Sequence, residues 1–283
     1  MKGSNKKSYC WECFVFVSVF LLNISCKSIE TSHNKTSDIF FEHTQIKNDT
    51  SFKNNQEINI IKLQNYPNDH FNIEIGYSKS ALKTTSDFGK SENAIGAING
   101  SYFDMDKGGS VTYLEINDTA INNTFDPEIK WAKSNSLING AIILYKNNTF
   151  EIQPKKSDQF YSKSKKEKAV IISGPILLHN AKRSKMFDSK FVQNKHPRTC
   201  VCKTKESILF VTIDGRRSNA KGMDLFELQD FLLDLGCIEA INLDGGGSTT
   251  MWIDSKGVVN QPSDKTGERP VANVFLIMKN DKK

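Results

Sequence analysis

Residues 238–249 read Ile-Glu-Ala-Ile-Asn-Leu-Asp-Gly-Gly-Gly-Ser-Thr, an apolar run that breaks into an acid, three glycines and two hydroxyls. The run has the length and composition of a buried strand. Successive glycines weaken a regular element, because they pack no side chain, but they let another group approach the main chain closely. A carboxylate followed by glycine amides and hydroxyls indicates a pocket floor for an anionic or polyhydroxylated ligand, with a plain glycine-rich turn as the alternative.

Other predicted strands carry polar residues at their ends in the same way. The strand at 94–98 runs into Asn99-Gly100, and the strand at 207–213 runs into Asp214-Gly215-Arg216. A third segment, His196-Pro197-Arg198-Thr199, precedes a strand. Strand ends at one sheet edge can converge on one cleft. Their carboxylates, guanidiniums, imidazole and glycines together favour a phosphate-bearing ligand with a neutral body.

The first residues predict export. Three lysines precede an apolar core at 14–22 that is too short to span a bilayer, and Ser25-Cys26 follows it. This pattern resembles a bacterial lipoprotein signal, with ordinary cleavage or an uncleaved anchor as alternatives. We therefore expect a signal peptide at 1–25, lipidation of Cys26, and a flexible tether at 26–55. The expected location is the bacterial envelope, with the anchored protein facing the periplasm or the surface.

The net charge bears on one class of function, nucleic-acid binding. The net charge is +6, and three Lys and one Glu lie in residues 1–25, so the chain without them carries +4. This modest charge, with no interleaving of basic and aromatic residues, argues against nucleic-acid binding.

Cys200 and Cys202 share a strand face and are not expected to pair with each other. A bridge from Cys237 to one of them is expected, with three buried thiols as the alternative.

The pattern of apolar residues predicts one α+β domain at 56–283, with a mixed β-sheet core, flanking helices and an active-site cleft at strand ends. A smaller second sheet is expected from residues 58–153. Leucines at helical spacing predict a helix over 223–235 that ends at Gly236. Strand hairpins are predicted for 58–63 with 71–77, for 140–145 with 150–152, and for 198–202 with 207–213. The strand at 169–178 is predicted to bend or end at Gly174, and 105–135 to be loop-like.

Six short segments stand in order between residues 90 and 278. They are Asn99-Gly100-Ser101-Tyr102-Phe103, Ser173-Gly174-Pro175, His196-Pro197-Arg198-Thr199, Asp214-Gly215-Arg216 with Gly222 and Glu227 downstream, Asn242 to Thr249, and Glu268-Arg269-Pro270-Val271. Each is weak alone, but the ordered set resembles the phosphodiester glycosidase family. One departure is Cys200, where the family has a small residue, and it is expected to affect packing only. The resemblance implies hydrolysis of a GlcNAc-1-phosphodiester-like bond in an envelope or extracellular glycan or glycolipid.

In the predicted mechanism the enzyme cleaves the anomeric C–O bond of a sugar-1-phosphodiester. Asp244 is the nucleophile or stabilises the oxocarbenium-like state. Asp214 or Glu227 activates water, and His196 carries a proton or orients the substrate. For Glu227 alone, a role in capping the helix is the stronger interpretation. The predicted phosphate- and substrate-binding residues are Arg198, Arg216, Asn99, Gly174, Gly245, Gly246, Gly247, Ser248 and Thr249, and no metal or cofactor is expected.

Two alternatives use the same residues. One is a metal-dependent phosphodiesterase that cuts P–O, with Asp214 and Asp244 as ligands of a hard cation; it would be sensitive to EDTA and release sugar phosphate. The other is a surface lipoprotein that binds envelope glycans without turnover.

Overall fold

The computed structural model describes residues 40–49, 52, 55–122 and 137–280. Strands dominate these residues, and four α-helices, none longer than ten residues, accompany them with a 3-10 turn at Gly246–Ser248. In chain order the elements are β1 Phe41–Asp49, β2 Gln56–Gln64, β3 Phe71–Tyr77, α1 Thr85–Ser91, β4 Gly96–Asn99, β5 Leu114–Ile116, β6 Thr119–Asn122, β7 Gly140–Tyr145, β8 Phe150–Pro154, α2 Asp158–Lys163, β9 Glu167–Ser173, β10 Ile176–His179, β11 Lys182–Arg183, α3 Lys190–Gln193, β12 Arg198–Lys203, β13 Ser207–Ile213, α4 Leu225–Asp234, β14 Glu239–Asn242, β15 Met251–Ile253, β16 Gly257–Val258 and β17 Asn273–Lys279.

The strands form three sheets. The first has seven strands in the order β1-β2-β13-β12-β14-β10-β11, the second has the order β16-β15-β4-β17-β3, and the third has the order β6-β5-β9-β7-β8. Every pair of neighbouring strands among the described residues is antiparallel. The fold is therefore mostly β and fits the α+β class loosely, and the expected mixed sheet is corrected to antiparallel sheets.

The inner faces of the three sheets pack on one another around a common apolar core. This core includes Phe210 of the first sheet, Phe275 of the second and Ile171 of the third. The two phenylalanine rings lie 5.6 Å apart between centroids. The outer faces pack against helices: α4 covers the first sheet, α1 the second and α2 the third. Central strands such as β13, β17 and β9 are thus buried on both faces and are apolar nearly throughout, whereas the edge strand β3 alternates between buried and half-buried residues.

Local predictions are confirmed. The β7–β8 and β12–β13 pairs form as expected, and strand β9 ends at Ser173, directly before Gly174. Helix α4 begins after an Asp224 N-cap whose capping box includes Glu227. Gly236, with φ of +76°, follows the helix.

Predictions that depended on distant pairing are wrong. Strands β2 and β3 do not form a hairpin, because β2 pairs with β1 and β13 whereas β3 pairs with β17 in another sheet. The smaller sheet expected from 58–153 is accordingly divided among three sheets. Two short strands, β5 and β6, lie in the stretch predicted to be loop. Strand β1 lies within the predicted tether and pairs along β2, so residues 41–49 are part of the folded body.

The signal peptide, Cys26 and the first part of the predicted tether lie outside the described residues. Among those described, no helix has the length and apolar character that crossing a membrane requires. A disulfide joins Cys202 to Cys237, with 5.8 Å between their Cα atoms, and Cys200 is a buried free thiol. The expected bridge from Cys237 therefore goes to Cys202.

Candidate active site

The loop that follows β14 lies at the centre of the candidate site. Its Asp244 N–H donates to the Gly100 carbonyl at 3.0 Å, and its Gly246 N–H donates to the Pro197 carbonyl at 2.9 Å. Gly215 approaches Pro197 so closely that an added Cβ would lie 2.6 Å from the proline nitrogen. The four segments that flank predicted strands therefore lie against one another.

Asn99 is fully buried beneath this loop. Its amide nitrogen donates to the Asp244 carbonyl at 2.7 Å, and its amide oxygen accepts from the Thr199 hydroxyl at 2.8 Å and the Thr250 N–H at 3.1 Å. These contacts favour a role in holding three loop segments together over the predicted contact with an N-acetyl or hydroxyl group.

Gly174 brings the third sheet to the same place. Its carbonyl accepts from the Tyr102 hydroxyl at 2.6 Å and from the Asn242 amide at 3.1 Å. Its φ is +150°, and an added Cβ would overlap the Leu137 carbonyl, so only glycine fits here. The contacts make Gly174 part of the support below the loop, and its predicted substrate contact stays a prediction.

Asp244 is the carboxylate in the loop itself. Burial raises its pKa to about 6, although the Ser248 hydroxyl, the Arg269 guanidinium and the Gly245 amide act in the opposite direction. The Gly245 N–H donates to the carboxylate at 3.0 Å. A carboxyl group that titrates near neutral pH beside a guanidinium is typical of a catalytic position.

The three glycines form a cradle with two guanidiniums against it. Gly246, at φ +62°, lies under Arg216, whose Nη2 would stand 2.9 Å from an added Cβ. An added Cβ on Gly247 would overlap Nη2 of Arg269. The N–H groups of Gly245 and Gly246 bond within the protein, whereas that of Gly247 has no partner among the hydrogen bonds of the described residues.

Two buried side chains follow the cradle. Ser248 lies near Asp244 and lowers its pKa. The Thr249 hydroxyl is buried and has no hydrogen-bond partner among the described residues. An unpaired buried hydroxyl is costly, so a ligand group that reached Thr249 would relieve that cost.

The main chain of Arg198 lies beside Gly245, but its side chain is held by main-chain carbonyls outside the cradle. Its side chain is only 2% exposed, its Nε donates to the Met223 carbonyl at 2.9 Å, and its Nη2 donates to the Phe191 and Asn194 carbonyls, both at 2.8 Å. Its guanidinium also lies 5.1 Å from the Phe191 ring centroid. These contacts favour a structural role for Arg198 and do not support the predicted contact with phosphate.

Asp214 is also 2% exposed and holds two loops together. Its carboxylate accepts from Arg217 at 2.7 Å, from the Asn260 amide at 3.1 Å and from the Gln261 N–H. Burial raises its pKa, and the bonds from Asn260, Gln261 and Arg217 lower it. With both oxygens occupied, the carboxylate is poorly placed to activate water.

Glu227 lies in the first turn of helix α4, and His196 pairs with the segment just before that helix. The Glu227 carboxylate accepts from the Asp224 N–H at 3.2 Å within the capping box and pairs with Lys195, which favours the capping interpretation. His196 bonds through its main chain to Met223, and its Nδ1 has no partner among the described residues. Burial and the charges of Arg198 and Arg216 lower the His196 pKa, so the ring is neutral at pH 7.

Sequence reasoning missed Arg269, Asp264 and Asn260. The signal for Arg269 was its place in the segment Glu268-Arg269-Pro270-Val271, to which no role had been given. Asp264 and Asn260 lie in a loop without a distinctive pattern. Within the described part of the chain, no three His, Cys, Asp or Glu side chains are grouped as metal ligands.

The chain is similar to known proteins in sequence and in fold. Residues 92–278 match the sequence profile of the phosphodiester glycosidase family. Mouse N-acetylglucosamine-1-phosphodiester alpha-N-acetylglucosaminidase is 36% identical over 76 residues, which are 27% of this chain and 14% of that protein. The SPbeta prophage-derived protein YomE of Bacillus subtilis is 33% identical over 84 residues, 29% of this chain and 13% of that protein. The matches thus span a small part of these relatives' length.

Solved structures share the fold. The catalytic domain of zebrafish N-acetylglucosamine-1-phosphodiester alpha-N-acetylglucosaminidase, auto-inhibited by its pro-peptide, superposes with a TM-score of 0.68 at 20% identity, over 89% of this chain and 87% of that one. A protein from Synechocystis superposes with a TM-score of 0.62 at 12% identity, over 89% of this chain and 64% of that one.

Proposed function

The chain belongs to the phosphodiester glycosidase family, and on that premise we propose that it hydrolyses a sugar-1-phosphodiester at the anomeric C–O bond. The observation that carries the proposal is the placement of Asp244, with its pKa raised to about 6, beside a glycine cradle and two guanidiniums. A carboxylate suits an electron-poor sugar carbon, and the guanidiniums suit a phosphate.

The phosphate is the leaving group, so the bond between the anomeric carbon and its oxygen breaks with little need for a general acid. Arg216 binds the departing charge at the cradle. Asp244 attacks the anomeric carbon or stabilises its positive charge. Water then supplies the oxygen of the new sugar hydroxyl, and one of its protons passes to neutral His196 and on to solvent. The other product is a phosphate monoester.

The proposed substrate carries a GlcNAc-like sugar on an envelope or extracellular glycan or glycolipid. The name of the mouse relative supports the sugar, and the buried hydroxyl of Thr249 beside the cradle supports a polyhydroxylated ligand. We further propose that the protein is an exported lipoprotein of the bacterial envelope. Its amino-terminal sequence supports this. A wild-type protein that takes up no radioactive fatty acid would overturn the lipid anchor, and label that persists in Cys26→Ser would overturn Cys26 as its site.

The test is hydrolysis of an aryl or alkyl diester of GlcNAc-1-phosphate in ¹⁸O-labelled water. C–O cleavage places the label in the sugar, and mass spectrometry of both products reports it. Label in the phosphate, with loss of activity in EDTA, would instead identify a metal-dependent phosphodiesterase. Binding without turnover would identify a glycan-binding lipoprotein. Asp244→Asn is the control for contaminating hydrolase.

A further inference from the structure

We propose that Arg269, held in place by Asp264, is the second guanidinium of the phosphate site and takes the place predicted for Arg198. The inference rests on the proposed function, because it assigns a residue to the same site. Arg198 has three of its donors occupied by main-chain carbonyls, which leaves the cradle in need of another cation beside Arg216.

The first argument is position. The Arg269 guanidinium lies directly against Gly247, where an added Cβ would overlap both Nη2 and Cζ. Its charge lowers the pKa of Asp244, so it also lies within electrostatic reach of the carboxylate. Arg216 lies in the same way against Gly246. The two guanidiniums therefore lie against adjacent glycines of the cradle.

The second argument is orientation. Nε of Arg269 donates to Oδ2 of Asp264 at 2.7 Å, and Nη2 donates to Oδ1 at 3.0 Å. This bidentate pair uses one edge of the guanidinium. Nη1 meets only the thioether of Met105, at 3.9 Å, among the described residues. A fixed guanidinium with a free edge is suited to bind two phosphate oxygens.

The third argument is support from the neighbouring residue. Glu268 accepts from the Ser86 N–H at 3.0 Å and from the Ser86 hydroxyl at 2.6 Å. The loop that carries Arg269 is thereby tied to the first turn of α1. The Arg269 side chain remains 24% exposed, which lets a ligand approach it from solvent, unlike Arg198.

The test compares Arg269→Gln with two matched variants. Arg183→Gln removes a guanidinium on β11 that pairs with Asp230 at the surface, and Arg198→Lys perturbs the buried one. Binding of a non-hydrolysable C-glycoside phosphonate analogue of GlcNAc-1-phosphate ester is measured by calorimetry, and kcat and KM are measured with the diester.

Arg269→Gln is expected to bind the analogue about 10- to 100-fold more weakly, as expected for a lost charged hydrogen bond, with an unchanged melting temperature. Guanidinium ion added to Arg269→Ala is expected to restore part of the activity. Asp264→Asn is expected to raise KM more than it lowers kcat, because Asp264 is a positioning residue.

Arg198→Lys is expected to lower the melting temperature and Arg183→Gln to change nothing. Wild-type affinity in Arg269→Gln, in a protein that binds and cleaves the diester, would overturn this inference and leave the proposed function standing. A wild-type protein that neither binds nor cleaves would overturn the proposed function itself.

Discussion

Gly247→Ala tests whether the cradle works through the guanidinium that lies on it. The new methyl group would occupy the position of Nη2 and Cζ of Arg269 and would also meet Oδ1 of Asp264. Ordinary contact begins at 3.4 Å, so the guanidinium must move by roughly 1 Å, a misplacement that typically costs about 100-fold in rate. That factor corresponds to about 2.7 kcal/mol of transition-state stabilisation.

The same substitution is expected to leave stability almost unchanged. Gly247 does not have a positive φ, so alanine introduces no backbone strain. The atoms that must move are the partly exposed ends of Arg269 and Asp264, so the main cost to stability is the weakening of one partly exposed ion pair. Gly96→Ala is the matched control, because its methyl group would lie at an ordinary 3.4 Å from Ile277 and Ile61.

The assay is kcat/KM on a GlcNAc-1-phosphate diester together with the melting temperature of each variant. We expect Gly247→Ala to lose about 100-fold in kcat/KM at an unchanged melting temperature, and Gly96→Ala to match wild type in activity. Activity of Gly247→Ala within threefold of wild type would refute the reasoning. A collapse of both quantities would mean that the methyl group disrupts the loop as a whole.

Further predictions concern Asp244, Asp214 and the disulfide. Asp244→Asn is expected to abolish turnover, and wild-type activity to rise with pH through about 6 as Asp244 ionises; a flat pH profile would remove it from the chemistry. The folded state holds the Asp244 proton more tightly than the unfolded chain, so the free energy of unfolding falls as the pH rises from about 4 to about 6. Asp244→Asn is therefore expected to raise the free energy of unfolding at pH 7 by up to about 3 kcal/mol, measured by urea titration. Asp214→Asn is expected to lower the melting temperature while the folded fraction keeps activity within tenfold, and lost kcat at an unchanged melting temperature would instead make Asp214 catalytic. Replacing Cys202 and Cys237 with alanine opens a link between residues 35 apart in sequence and is expected to cost about 4 kcal/mol in guanidinium unfolding, whereas Cys200→Ala costs far less; equal costs would show that the bridge does not form.

The sequence predicted those elements whose information is local. Helix α4 is specified by its leucine spacing, its Asp224 cap and Gly236, all within fourteen residues. The β7–β8 hairpin has its turn between its strands. Strands β2 and β3 look equally suited to a hairpin, but β2 pairs with the preceding β1 and with β13, and β3 pairs with β17. Strands β13 and β17 lie more than 130 residues further along the chain, and nothing in β2 or β3 specifies which distant strand each one joins.

At the candidate site, the sequence predicted the residue types but not the direction of each side chain. The sequence predicted that arginines, an acid and glycines meet, and it indicated Arg198 as one of the phosphate ligands. In β12 alternate residues share a face, so Arg198 points the same way as Cys200 and Cys202. Those two cysteines pack in the apolar cluster under α4, whereas Val201 packs in the central core. Knowing which face α4 covers would have indicated that the Arg198 side chain is buried on that face.

The hydrogen bonds beneath the glycine loop determine how the protein responds to a bound ligand. Asn99 and Asn242 connect segments more than sixty residues apart and join ends of all three sheets. A compound that binds on this loop stabilises the connections among all three sheets, so its binding raises the melting temperature of the whole folded protein. Amide exchange then slows in strands far from the compound as well as near it. Thermal shift is therefore an economical first screen of candidate glycans, and it requires no turnover.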